Sequence, residues 1–211
     1  MTRRVFLLQG LAQNPEDWSK VLQHLPPDIA AEPVDALQLG FGPDQELSLE
    51  QAAAELEERI DGGDDVVIVG LSYGAVIAAR HAIDHPRPHR KYLLAGGQIK
   101  PRRWPGPLLL RAHPAARIFM QLRTRRRLDP HKVRSIMRMY ASLDLRPKLH
   151  RITSRVTFAV GTIDRPHRKP ARDVVQRVPH SEVVELTLTE HEPNKTGPHQ
   201  LAAHIERLAR S

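Results

Sequence analysis

The spacing of hydrophobic and polar positions changes period along the chain, and each change marks an element. Arg4 to Gln9 (RVFLLQ) is a short apolar run ending at Gly10 and predicts a strand. Asn14-Pro15-Glu16-Asp17 supplies an N-cap, a Pro at the first helical position and acids in the first turn, predicting a helix to about Leu25. Pro26-Pro27 stops it, and Ile29 to Val34 reads as a weak second strand interrupted by Pro33. After the loop Gly40-Phe41-Gly42-Pro43, Ser48 and Gln51 form a capping box opening an acidic amphipathic helix to Ile60, which Gly62-Gly63 ends.

Val66 to Val69 is an unbroken β-branched run, as expected of a strand covered on both faces. Ala75 to Ala82 is an apolar, alanine-rich helix. Lys91 to Ala95 predicts a further strand, closed by Gly96-Gly97. Helices are expected over Leu108 to Leu122 and after Asp129-Pro130, a strand over Val156 to Val160, and a helix over Pro170 to Val178. Glu182 to Leu188 is then a strand and Pro198 to Arg210 a closing helix. Strands alternating with helices predict an α/β fold: a mostly parallel sheet with helices on both faces. Ligands of such sheets bind outside the carboxyl ends of the strands.

Composition narrows this picture. The 211 residues suit one domain, 1–211, and contain no Cys, which excludes disulfides and thiolate metal sites. The apolar run at the N-terminus is too short for a signal peptide, and no segment approaches a membrane span, so a cytoplasmic protein is expected. Charge is uneven. Between Gly97 and Arg151 there are fifteen Lys and Arg against two acids, so this block carries the whole basic excess of a chain with net charge +8. The block includes Arg111, Arg117, the run Arg123 to Arg127, Arg134 and Arg138. No H-E-x-x-H pairing, phosphate loop or G-x-G-x-x-G after a strand occurs, so no metal and no cofactor is expected.

Chemistry enters at Gly70-Leu71-Ser72-Tyr73-Gly74, which fits G-x-S-x-G between a buried strand and a helix. That pattern is the sharp turn that lifts a serine hydroxyl above a sheet, with Gly70 and Gly74 where a β-carbon would collide. Asp164, in Gly161-Thr-Ile-Asp164, and His191 also fall at strand ends. Asp164 before Arg165-Pro166 also suits a simple turn, and His191 has rivals in His199 and His204, which the closing helix places on a polar face. His167 and His180 are loop residues with no evident partner, and Tyr73 and Gln9 either line a pocket or pack.

Together these segments resemble the α/β-hydrolase family along nearly the whole chain. Leu8-Gln9-Gly10-Leu11 is similar to the family's strand-end H-G-x segment, with Trp18 placed as members often have it. Gly40-Phe41-Gly42 resembles the loop before the helix preceding the elbow. Gly161 to Asp164 resembles the G-x-x-D carrying the family's acid, and Glu190-His191-Glu192-Pro193 with Pro198 resembles its catalytic-histidine loop. The order Ser72, Asp164, His191 is the family's order. Two departures stand out: Gln9 replaces the usual His, and Glu190 replaces the usual Gly, crowding the loop or setting a carboxylate near the imidazole.

The resemblance implies a cofactor-free serine hydrolase cleaving a carboxylic ester or thioester through an acyl-enzyme. Ser72 is then the nucleophile, His191 the base, Asp164 its orienting acid, and the Leu11 and Tyr73 N–H groups the oxyanion hole. Ser rather than Asp at position 72 argues against the dehalogenase and epoxide-hydrolase branches. The basic block falls where the family inserts its variable cap, so a small helical cap is expected over 97–151. Beyond a solvated face, its charge suits an anionic carrier (coenzyme A or acyl carrier protein) or an anionic membrane surface. Nucleic acid fits less well, because the block lacks a binding motif and has few aromatics. Two other readings are acyl transfer on the same triad and a non-catalytic binding protein of this fold.

Overall fold

The computed structural model describes residues 3–44, 46–61, 63, 65–100 and 129–211. Within them six strands form one sheet, β1 (Arg3–Leu8), β2 (Ile29–Val34), β3 (Val66–Leu71), β4 (Lys91–Ala95), β5 (Arg155–Gly161) and β6 (Ser181–Leu186). The order across the sheet is β2-β1-β3-β4-β5-β6, and every neighbouring pair is parallel. The helices are α1 (Ser19–Leu22), α2 (Leu49–Ile60), α3 (Tyr73–Asp84), α4 (Pro130–Ser142), α5 (Arg165–Val175), α6 (Pro193–Thr196) and α7 (Pro198–Arg210). Short 3-10 helices occupy Pro15–Trp18 and Arg146–Arg151.

The central strands carry apolar side chains on both faces, and the two-residue period splits these between two cores. Phe6, Leu8, Val66 and Ile68 join the layer under α2 and α3, while Val5, Leu7, Val67, Val69 and Leu71 join the layer under α7. All six residues of β3 are buried, which is why it reads as a continuous hydrophobic run. Pro33 is tolerated because β2 is an edge strand, paired only with β1. No helix among the described residues is long and apolar enough to cross a membrane.

Several boundaries differ from the sequence reading. The first helix ends at Leu22, because His24 and Leu25 donate to Val21 and Leu22 in tight i→i−3 turns before Pro26. Ser48 caps α2 by accepting from the Gln51 N–H at 3.1 Å, but the Gln51 side chain bonds Glu55 at 2.8 Å instead of completing a capping box. Asp61 takes the left-handed position after α2 (φ 54°), one residue before the glycine pair. The helix expected over Pro170 to Val178 starts at Arg165 and ends at Val175, since Asp164 accepts the first turn and Pro166 suits the N-terminal position. β6 stops at Leu186, two residues early, and β5 extends one residue at each end. The helix expected over Leu108 to Leu122 and the arginines from Arg111 to Arg127 lie outside the described residues. The helix after Asp129-Pro130 is present as α4, capped by Asp129, which accepts from the His131 N–H at 2.8 Å.

Candidate active site

Ser72 sits between β3 and α3 at φ 53° and ψ −108°, a backbone conformation that L-residues rarely adopt. The surrounding packing holds it there. Its N–H donates to the Ala95 carbonyl at the end of β4 at 2.8 Å. A β-carbon on Gly70 would lie 2.5 Å from the Gly74 carbonyl oxygen, and one on Gly74 would strike the Leu8 carbonyl of β1. Both elbow glycines are therefore fixed by close backbone approach, as the turn pattern requires.

Asp164 follows the C-terminal end of β5, and His191 lies in the loop between β6 and α6. The two meet: His191 Nδ1 lies 3.1 Å from Asp164 Oδ2. Gly96, at φ +60°, makes room for the ring, because a β-carbon there would stand 2.7 Å from His191 Cε1. Burial alone would raise the Asp164 carboxyl, but hydrogen bonds from His167 and His191 outweigh it and hold the carboxyl well below the usual carboxylate range. Asp164 is thus ionised and buried, while 39% of the His191 side chain remains exposed. His199, the exposed rival on α7, edges against His24 and makes no contact with this site.

The nucleophile position and the imidazole are not hydrogen-bonded to each other among the described residues. Ser72 instead interacts with the phenol of Tyr140 on α4, whose pKa burial pushes up while the Ser72 hydroxyl partly offsets it. Tyr73, just after Ser72, packs its ring in the core, and its hydroxyl finds no partner among the described residues. Its backbone N–H opens α3, where no intrahelical acceptor exists. The β1 exit loop comes alongside: a β-carbon on Gly10 would lie 3.4 Å from Ser72 Cβ. No backbone acceptor takes the Leu11 N–H among the described residues. Among the described residues, then, neither the Leu11 nor the Tyr73 N–H has a backbone acceptor, and Leu11 follows the glycine packed against the serine.

Gln9 turns away from this site. Its amide donates to Asp35 at 2.7 Å and accepts from the Ala36 N–H at 3.1 Å, tying β1 to the exit of β2. Glu190 is exposed, and its N–H donates to Thr196 Oγ1, so the carboxylate that engages the imidazole is Asp164. Neither departure disrupts the loop geometry.

Three partners escaped the sequence reading. His167 is no loop residue: it lies in the first turn of α5, its Nδ1 stands 2.7 Å from Asp164 Oδ1, and its ring stacks on His191 at 4.4 Å. Gln98 Nε2 lies 2.9 Å from His167 Nε2. Gln13 accepts from Gly10 N–H at 3.3 Å and donates to Asn194 on α6 at 3.1 Å, bracing the Leu11 loop against the histidine loop. The D-x-x-H spacing was visible, but only the early start of α5 makes it one turn of helix. Gln13 and Asn194, 181 positions apart, left no local signal.

Comparison with known proteins agrees with the architecture. The structure resembles an enol-lactonase from Burkholderia xenovorans LB400, with 16% identity, a TM-score of 0.81, and coverage of 100% of this chain and 92% of that one. A hydrolase from Pseudomonas aeruginosa PA01 gives 17% identity and a TM-score of 0.78 over 100% and 91% of the two chains. A thermophilic esterase from Thermogutta terrifontis gives 17% identity and a TM-score of 0.75 over 99% and 89%. No curated protein sequence matches the chain. The family model described as the alpha/beta hydrolase family matches residues 5–204. With a parallel sheet, a strained elbow and that match over most of its length, the chain belongs to the α/β-hydrolase family of enzymes.

Proposed function

We propose that the protein is a serine hydrolase that cleaves a carboxylic ester or thioester through an acyl-enzyme, with no cofactor. The observation that carries this reading is the 3.1 Å contact between Asp164 Oδ2 and His191 Nδ1 beside a serine held at φ 53°. An ionised, buried Asp164 fixes the His191 proton on Nδ1, which leaves Nε2 as the base.

Ser72 Oγ attacks the acyl carbon as His191 Nε2 takes its proton, and the carbonyl π electrons move onto oxygen. The Leu11 and Tyr73 N–H groups hold that oxyanion, and one such donor is typically worth about 3–4 kcal/mol. Collapse expels the alcohol or thiol, which leaves with the proton from the imidazolium. Water then repeats the sequence on the acyl-enzyme and releases the acid.

Residues 97–151 act as the cap in this reading, and their basic charge favours an anionic carrier such as coenzyme A or acyl carrier protein. Arg134 on α4 is exposed and available for this, whereas Arg138 is engaged by Glu46 at 2.7 Å. The absence of a Ser72–His191 hydrogen bond among the described residues favours one competing reading, a non-catalytic binding protein of the same fold.

A panel of esters and thioesters of graded chain length separates the two. Hydrolysis should be measurable, and Ser72→Ala should lower kcat by roughly 10^5–10^6-fold. Equal activity of wild type and Ser72→Ala would overturn the serine mechanism. Added alcohols or amines that divert the acyl group without loss of Ser72 dependence would indicate acyl transfer.

A further inference from the structure

The second imidazole at the acid gives the site a property that an isolated triad lacks. Asp164, His167 and His191 place one carboxylate oxygen and one ring nitrogen of each histidine within 4.8 Å of one another. Two imidazoles and a carboxylate are a ligand set for Zn²⁺, with one position left for water. Tetrahedral zinc with bonds of about 2.0–2.1 Å sets its ligand atoms about 3.3 Å apart. The two Nδ1 atoms stand 2.7 Å from Oδ1 and 3.1 Å from Oδ2 of the one carboxylate, so both imidazoles already face the acid at close to ligand spacing. The rings already lie side by side at 4.4 Å with an interplanar angle of 28°.

The surroundings fit as well. His191 is open to solvent, which gives an ion a path in. Gln98 holds the remote nitrogen of His167, the kind of outer contact that orients a ligating imidazole. An amide can present its oxygen in place of its nitrogen, so Gln98 can accept the Nε2–H that a metal-bound His167 carries.

We propose that Asp164, His167 and His191 form a transition-metal site through which Zn²⁺ reversibly switches the enzyme off; the switching rests on the serine-hydrolase reading, the binding does not. Zinc takes Nδ1 of each neutral imidazole and one carboxylate oxygen, and each ring's single proton moves through solvent exchange from Nδ1 to Nε2, so the rings stay neutral. The bound His191 then carries its only proton on Nε2, the nitrogen that serves as the base in the proposed mechanism. It cannot accept the Ser72 proton, and Asp164 no longer orients it. No sequential metal motif marks this site, because its ligands come from one helical turn and a separate loop.

Two measurements test it. In Ser72→Ala protein, Co²⁺ in place of Zn²⁺ should give the visible absorption of tetrahedral cobalt, lost on adding Zn²⁺ and in the double variant with His167→Gln. In otherwise wild-type enzyme, Zn²⁺ should abolish ester hydrolysis and EDTA should restore it. His167→Gln, compared with its own metal-free rate, should need at least about tenfold more Zn²⁺, since even outer-shell changes cost about 10–100-fold in affinity. If His167→Gln does not fold, Gln98→Ala should show the same trend, about tenfold. Inhibition of His167→Gln at the wild-type concentration, or no cobalt spectrum in Ser72→Ala, overturns the proposal. The cobalt result does not depend on catalysis, so it stands or fails apart from the hydrolase reading.

Discussion

Two carboxylates in this protein, the part-buried Glu57 and the buried Asp164, are each clasped by nitrogen-bearing side chains in different surroundings. Glu57 on α2 meets Arg90 in a bidentate pair and His81 Nε2 at 2.9 Å, while His81 Nδ1 meets the Tyr92 hydroxyl at 2.8 Å. Asp164 meets His167 and His191. In both, burial raises the acid and the partners' hydrogen bonds outweigh it, taking Glu57 to about 2. The difference lies in access. His81, Arg90 and Tyr92 are fully buried between α3 and β4, so every donor there is spent on the fold. His191 keeps 39% of its side chain exposed, and among the described residues only its Nδ1 is engaged, by Asp164. In the proposed mechanism the closed cluster serves stability and the open one serves reaction.

Exchanging the amide for the acid in the open cluster should have the largest effect. Asp164→Asn keeps the shape but donates to His191 Nδ1, which moves the proton to Nε2 and should lower kcat by about 10^4-fold. Its thermal unfolding should stay close to wild type. A drop below tenfold would remove Asp164 from the mechanism.

The closed cluster should respond the opposite way. Glu57→Ala strands the buried Arg90 guanidinium, and breaking a buried pair from one side costs about 3–5 kcal/mol. For a chain of this size that is a fall in Tm of roughly 10 °C, with kcat of the folded fraction unchanged. Calorimetry and ester kinetics on the same preparation check both halves, and loss of kcat at unchanged Tm would reverse the assignment.

A smaller effect comes from pH. Burial, partly opposed by Glu57, lowers His81 from 6.5 to about 4, so the unfolded chain binds this proton at a higher pH than the fold does. Stability from this group is therefore lost as pH falls from 6.5 through 4, by about 2–3 kcal/mol. Glu57 adds a further loss as pH falls from 4.5 towards 2, because the folded carboxylate resists protonation. His81→Gln keeps the hydrogen-bonding shape without the titration. Urea unfolding of this variant should vary less between pH 6.5 and 4, and parallel curves for the two proteins would contradict the account.

How much of this was readable follows from where each signal sits. The elbow was legible because a turn that tight leaves only glycine at positions 70 and 74, and its strand is buried on both faces. Asp164 and His191 were legible as polar residues at strand ends in a fixed order. The closed cluster was not, because Glu57, His81 and Arg90 meet only when α2 and α3 pack together against the sheet. His167 was missed for a related reason: its role depends on where α5 begins, and helix starts before a Pro are hard to place from spacing. Gln9 stands where the resemblance puts a histidine at the end of the first strand, and it is a strut to Asp35 and Ala36.

The central claim is that Ser72 is the nucleophile activated by His191, and one measurement reads it directly. Treatment with a fluorophosphonate probe, followed by peptide mass spectrometry, should place a single adduct on Ser72 of the folded protein and none after His191→Ala or denaturation. An unmodified Ser72, or equal labelling of the native and denatured chains, would contradict it.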